Sequence, residues 1–149
     1  MLAAGGISHG SQLVAALAMG AQGVVMGTRF IASDEAHALD SWKQRIVAAE
    51  ASDTTLTRCY SGKQMRGFRN QYTDSWLGRE SDILPFPQQM EVSLREGVLD
   101  MFGTSDDPDR GCLPTGQSCG GVRDVKPAAD VVRDFIAEAQ AAFDRLPPR

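Results

Sequence analysis

Two short stretches near the start of the chain have the residue types of an anion pocket: AAGGI at 3–7 and VVMGT at 24–28. Each sets glycine directly after an apolar run, Gly5-Gly6 after Leu2 to Ala4 and Gly27 after Val24 to Met26. Glycine at a strand end lets the backbone come close to a ligand, free N–H groups there can point at phosphate oxygens, and the Thr28 hydroxyl adds a donor. The same glycines also suit tight turns and nothing more, and spacing does not separate the two readings.

Other chemistry-bearing residues are less specific. GQSCG at 116–120 satisfies G-x-S-x-G, but a nucleophile elbow needs a strand before it, a helix after it and a histidine partner. RGCLPT supplies no such strand, so a glycine-rich loop is expected. Cys59, Cys112 and Cys119 have no C-x-x-C partner. Arg58, Lys63, Arg66 and Arg69 can greet an anion or form an ordinary solvated loop. His9 is expected in an exposed turn and His37 on a helix, structural or solvated. No metal-ligating cluster stands out.

These residues must be positioned by elements that the spacing predicts. Leu13, Val14, Leu17 and Ala18 mark a short helix with Ser11 available as N-cap and Gly20 as terminator. Residues 23–27 read as a strand buried on both faces. Ser33 can cap a second helix running to about Ala51 through Ala36, Leu39, Trp42 and Ile46. This βαβα order is the unit of parallel-sheet α/β proteins.

From Asp53 the pattern changes. Strand formers from Thr55 to Tyr60 lead to a Ser61-Gly62 turn and a basic loop. A helix is expected over 70–79, then a break at Pro85-Phe86-Pro87, then an amphipathic helix on Met90, Leu94, Val98 and Met101 ending at Gly103. After a loop at 104–111, Pro127 opens a helix whose stripe is Val131, Phe135, Ala139, Ala142 and Leu146, stopped by Pro147-Pro148. Three parts are expected: 1–52, a mostly helical insertion at 53–110, and 111–149.

The bulk properties narrow the function classes. The 149 residues suit one domain with a real core, and 42% hydrophobic with 23% charged residues is ordinary for a globular protein. No apolar run approaches the roughly 20 residues of a membrane span. The net charge of -4, with Lys and Arg scattered, argues against nucleic acid. With no signal-peptide pattern and unpaired cysteine spacing, a cytoplasmic protein with reduced thiols acting on a small molecule is expected.

AAGGISHGSQLVAALAMGAQGVVMGTRFIAS resembles the C-terminal barrel segment of the nitronate monooxygenase family, also called 2-nitropropane dioxygenases. SGKQMRGFRN, GQSCGGVRDV and PAADVVRDFIAEAQAAF resemble later stretches of the same family, so the likeness covers nearly the whole chain. The resemblance implies an FMN-dependent (β/α)8 TIM barrel, of which this chain would carry the last two strands. It would place Gly5 and Gly6 at the FMN phosphate after the seventh strand, with Val25, Met26, Gly27 and Thr28 around it from the eighth, where barrel phosphate sites are frequently built. Many relatives carry Gln at the position of Val25.

The family's catalytic base is a histidine upstream of the AAGGI strand, and neither His9 nor His37 matches it. The resemblance therefore implies nitronate or nitroalkane oxidation with oxygen, with no catalytic residue assigned in this chain and a truncated, inactive fragment expected. Two alternatives stand beside it: an enoyl-[acyl-carrier-protein] reductase-type flavoprotein, and a phosphate-binding module without catalysis.

Overall fold

The computed structural model describes residues 1–100 and 107–147. Its elements are β1 (Leu2–Ala4), α1 (Gly10–Ala18), β2 (Gly23–Val25), α2 (Thr28–Ile31), α3 (Asp40–Ala48), β3 (Thr54–Thr57), β4 (Met65–Phe68), α4 (Gln71–Ser75), α5 (Gln88–Arg95) and α6 (Ala128–Asp144). Among the described residues no helix is long and apolar enough to cross a membrane. The chain divides into two compact units, one of residues 1–37, 43–51 and 116–149, the other of 38–42 and 52–115.

In the first unit β1 and β2 pair in parallel, Leu2 with Gly23, Ala3 with Val24 and Ala4 with Val25, with α1 as the crossover. The strand-helix-strand order read from apolar spacing is the observed one. The expected burial of 23–27 on both faces is not: Val25 is 49% exposed, and Leu2 on the neighbouring strand 57%. A sheet of only two strands gives each of them one ladder neighbour, so neither is enclosed.

Helix α1 is capped by His9 rather than Ser11. The His9 Nδ1 accepts from the Ser11 N–H at 3.1 Å, and the Gln12 Oε1 accepts from the His9 N–H at 2.9 Å, a reciprocal cap in which Ser11 is already helical. Gly20 ends the helix at φ +91, as its position predicted. Helix α6 buries Val131, Phe135 and Ala139, the upper part of the expected stripe, whereas Leu146 is 53% exposed. Of the expected Pro147-Pro148 stop, Pro148 lies outside the described residues.

The helix expected from Ser33 does not start there. The Ser33 hydroxyl donates to the Phe30 carbonyl at 2.7 Å, and its backbone bridges in parallel to Lys126, which sets Ser33 in an extended bridge ahead of a turn and not at a helix start. Residues 28–31 form α2 instead, and α3 begins only at Asp40. His37 consequently lies exposed in a bend, not on a helix.

In the second unit β3 and β4 form an antiparallel pair, Thr54 with Phe68 and Thr57 with Met65. The basic loop expected after Gly62 is thus partly a strand. Cys59, Tyr60, Tyr72, Ile83 and Val98 make this unit's core. Asn70 caps α4, its Oδ1 accepting from the Thr73 N–H at 2.9 Å, but the helix stops at Ser75 rather than 79, with Gly78 at φ +76 beyond it.

Helix α5 buries Gln89 and Ser93, not the expected Met90 and Leu94, the latter 37% exposed. Gln89 donates to the Cys59 carbonyl at 2.7 Å and accepts from the Leu84 N–H at 3.1 Å, while Ser93 donates to the same Cys59 carbonyl at 3.3 Å. These bonds make burial of two polar side chains tolerable. The helix ends at Arg95, and Met101 and Gly103 of the expected stripe lie outside the described residues.

Candidate functional site

The parallel register sets the site. Ala4 faces Val25, so Gly5-Gly6 and Met26-Gly27-Thr28 leave the sheet from the same edge. Gly5 and Gly6 have φ +93 and +73, a left-handed pair that side-chain-bearing residues rarely adopt. Gly27 precedes α2 without any side-chain cap, and the leading N–H groups of a helix have no intrahelical partner. A Cβ placed on Gly5, Gly6 or Gly27 would meet nothing within 4 Å. The two strand ends therefore border open space at Gly5, Gly6 and Gly27.

Thr28 is buried, and its Oγ1 accepts from the Gly116 N–H at 2.8 Å. A hydroxyl that accepts one bond still has its own proton to donate. The same contact ties GQSCGG to the strand end: a Cβ on Gly116 would come within 3.2 Å of the Thr28 hydroxyl. Residues 117–121 form a turn of 3-10 helix in which Ser118 and Cys119 are buried. That geometry is not a strand-turn-helix elbow. Val25 is exposed and Met26 partly buried beside these glycines.

The neighbouring Arg29 has a different task. It is buried, donating from Nη1 to the Asp124 carbonyl and from Nη2 to the Asp124 carboxylate, both at 2.8 Å. Nothing in the sequence marks this residue as buried, because cationic side chains are usually exposed. Gln12 bonds the turn after Gly5-Gly6 at three points, and an amide inside an apolar helical pattern gives no sequence signal.

His9 does not face the strand ends as a free base. Its Nδ1 is engaged in the helix cap and its Nε2 lies 3.6 Å from Glu138. A cavity of about 230 Å³ beside it is lined by Arg29, Asp124, Lys126, Asp134 and Glu138. There Lys126 pairs with Asp124 at 3.0 Å and with Asp134, whose pKa is lowered because its carboxylate accepts from that ammonium. Glu138 accepts from the Gly10 N–H at 2.8 Å, so the charges of this cavity hold the fold together.

In the second unit Arg66 donates to the Thr54 hydroxyl at 3.0 Å and Arg69 to Asp74 at 2.7 Å, while Lys63 lies 3.9 Å from the Phe86 ring centre. These cations brace the hairpin and its neighbours. Burial raises the Cys59 thiol and pushes Cys112 up to about 12, so both stay protonated near neutrality. A cleft of about 370 Å³ walled by β3, Trp76 and Leu77 contains none of the strand-end glycines.

The decisive comparison is with a family model described as nitronate monooxygenase, which matches residues 1–138. The chain belongs to the nitronate monooxygenase family. It is 36% identical over 103 residues to a probable nitronate monooxygenase of Staphylococcus aureus strain Newman, covering 68% of this chain and 29% of the relative. Among solved structures it is similar to FabK from Thermotoga maritima, at 33% identity and a TM-score of 0.75, over 97% of this chain and 45% of that one. It is also similar to nitroalkane oxidase from Streptomyces ansochromogenes, at 29% identity and a TM-score of 0.81, over 97% of this chain and 40% of that one.

This member of the nitronate monooxygenase family thus spans under half the length of these relatives. Its α/β architecture is part of a TIM barrel, carrying one parallel strand pair with its crossover helix.

Proposed function

We propose that this chain supplies the phosphate-holding part of the FMN site in a cytoplasmic nitronate monooxygenase-type oxidoreductase that oxidises nitronates or nitroalkanes with oxygen. The observation that carries the reading is the register-matched pair of strand ends, where Gly5, Gly6 and Gly27 border open space and Thr28 directly follows Gly27. In this reading the backbone N–H groups around Gly5, Gly6, Gly27 and Thr28 hold the phosphate, and the Thr28 hydroxyl donates to it while accepting from Gly116. Val25 and Met26 contribute main chain, so the absence of Gln at 25 removes no backbone donor.

When bound, the flavin supplies the electron transfer from substrate to oxygen. The chain's own residues bind and orient it. His9 serves the α1 cap and His37 the surface, and neither is assigned a proton transfer. Residues 1–52 carry the barrel segment in this reading, 53–110 an insertion, and 111–149 the glycine-rich loop and final helix.

Calorimetric titration with FMN and with riboflavin tests the phosphate site. FMN is expected to bind at least about tenfold more tightly, the scale of one or two charge-assisted hydrogen bonds. Gly27 has an ordinary φ of -104 and open space around it, so Gly27→Leu is expected to erase that preference while the melting temperature holds. Equal affinity for the two flavins would remove the reading. An enoyl-[acyl-carrier-protein] reductase-type flavoprotein would use the same strand ends; oxygen uptake with a nitronate, against nicotinamide oxidation with a crotonyl-type substrate, separates the two chemistries.

A further inference from the structure

Gln12 stands in the first turn of α1, partly buried, and its amide makes three hydrogen bonds to the segment that leaves β1. Its Nε2 donates to the Gly6 carbonyl at 2.8 Å, and its Oε1 accepts from the Ser8 N–H at 2.8 Å and the His9 N–H at 2.9 Å. This pattern admits only one orientation of the amide. Turned over, Nε2 would meet two N–H donors and Oε1 would meet a carbonyl.

Glycine enters positive and negative φ with similar ease, so Gly5 and Gly6 do not by themselves choose the left-handed form in which they stand. Something else must choose it. A bond to the Gly6 carbonyl fixes the plane of the Gly6–Ile7 peptide and restrains the ψ of Gly6. The two bonds at Ser8 and His9 anchor the same side chain to the helix start, so the turn is tied to α1 and not to a ligand.

We propose that Gln12 is a positioning residue that holds the Gly5-Gly6 turn in the form that receives a phosphate group. The inference rests on the phosphate reading of that turn. It adds that the pocket is built before the ligand arrives, by a side chain that makes no contact with the ligand, which lowers the ordering cost of binding.

Gln12→Glu and Gln12→Leu test it together. A Glu carboxylate still accepts from the Ser8 and His9 N–H groups but cannot donate to the Gly6 carbonyl; Leu loses all three bonds. Both variants are expected to lose about tenfold in FMN affinity, the worth of one or two ordinary hydrogen bonds, with riboflavin affinity unchanged. In amide exchange by NMR, Ser8 and His9 should stay protected in Gln12→Glu and open in Gln12→Leu, while the amides of 13–18 stay protected in both.

A purely structural role would weaken both flavins alike, and loss in Gln12→Glu alone would be charge repulsion; either result overturns the proposal, as does wild-type FMN affinity in both variants. If the unsubstituted chain shows no preference for FMN, the phosphate reading fails by itself. The hold on the turn is then read from the NMR couplings of Gly5 and Gly6, which must change in both variants for Gln12 to have set them.

Discussion

At Gly10, where α1 meets α6, an added Cβ would sit 2.2 Å from the Phe135 carbonyl oxygen and 2.3 Å from the Ala139 nitrogen. At Gly27, where β2 gives way to α2, an added Cβ would meet nothing within 4 Å. One glycine is small because a neighbouring backbone already fills the space a side chain would need. The other has room for a side chain and an ordinary φ, so neither packing nor backbone strain accounts for it. The difference separates glycines that hold the fold together from those that keep a surface clear, a distinction composition and spacing do not carry.

The sharpest way to test this contrast is Gly10→Ala. Two backbones meet there, and neither atom lies at the end of a flexible side chain, so α1 and α6 must separate for a methyl group to enter. Displacing packed helices typically costs about 1–3 kcal/mol and occasionally more. Loss of the Glu138 bond to the Gly10 N–H adds to it. Urea denaturation should show a destabilisation of about 3 kcal/mol. A change below about 0.5 kcal/mol, the level of an ordinary surface substitution, would mean that the seam is not closed at Gly10.

Gly121→Ala should cost less although its contact is nominally closer. The added Cβ would fall 2.1 Å from the Ser8 hydroxyl oxygen, but that oxygen can swing to another rotamer. A loss of about 1 kcal/mol is expected, within the range of an off-rotamer side chain. A loss equal to that of Gly10→Ala would show that Ser8 is as fixed as backbone, and the contrast would then have to be redrawn.

The limits of sequence reading follow the same physics. The β1-α1-β2 order and the Val131, Phe135 and Ala139 stripe were legible because burial there is apolar and periodic. The inner face of α5 was not, because Gln89 and Ser93 are buried through bonds to a carbonyl thirty or more residues away. Arg29 is comparable: its burial makes sense only with Asp124, 95 residues on. Met65 to Phe68 carry no alternation, and Gly67 stands in the strand where Leu113 approaches its missing side chain to 3.1 Å. For the site, the glycines were legible as a motif, while Gln12 and the Thr28 to Gly116 contact needed the fold to bring them together.

The smallest effect concerns the start of α6, a helix end closed by a side chain distant in sequence. The Glu35 carboxylate accepts from the Ala128 N–H at 2.7 Å, and this bond holds its pKa below the ordinary value. A carboxyl that is more acidic folded than unfolded stabilises the fold above its unfolded pKa, about 4.3, and loses that contribution as the pH falls through its folded value. Unfolding midpoints should therefore decline from about pH 5 downward, and less steeply in Glu35→Gln, whose side chain still accepts from the Ala128 N–H without titrating. Asp134 shifts in the same direction through Lys126, so the decline in Glu35→Gln should be reduced and not abolished. Identical pH profiles for the two proteins would show that the Glu35 bond does not hold the start of α6.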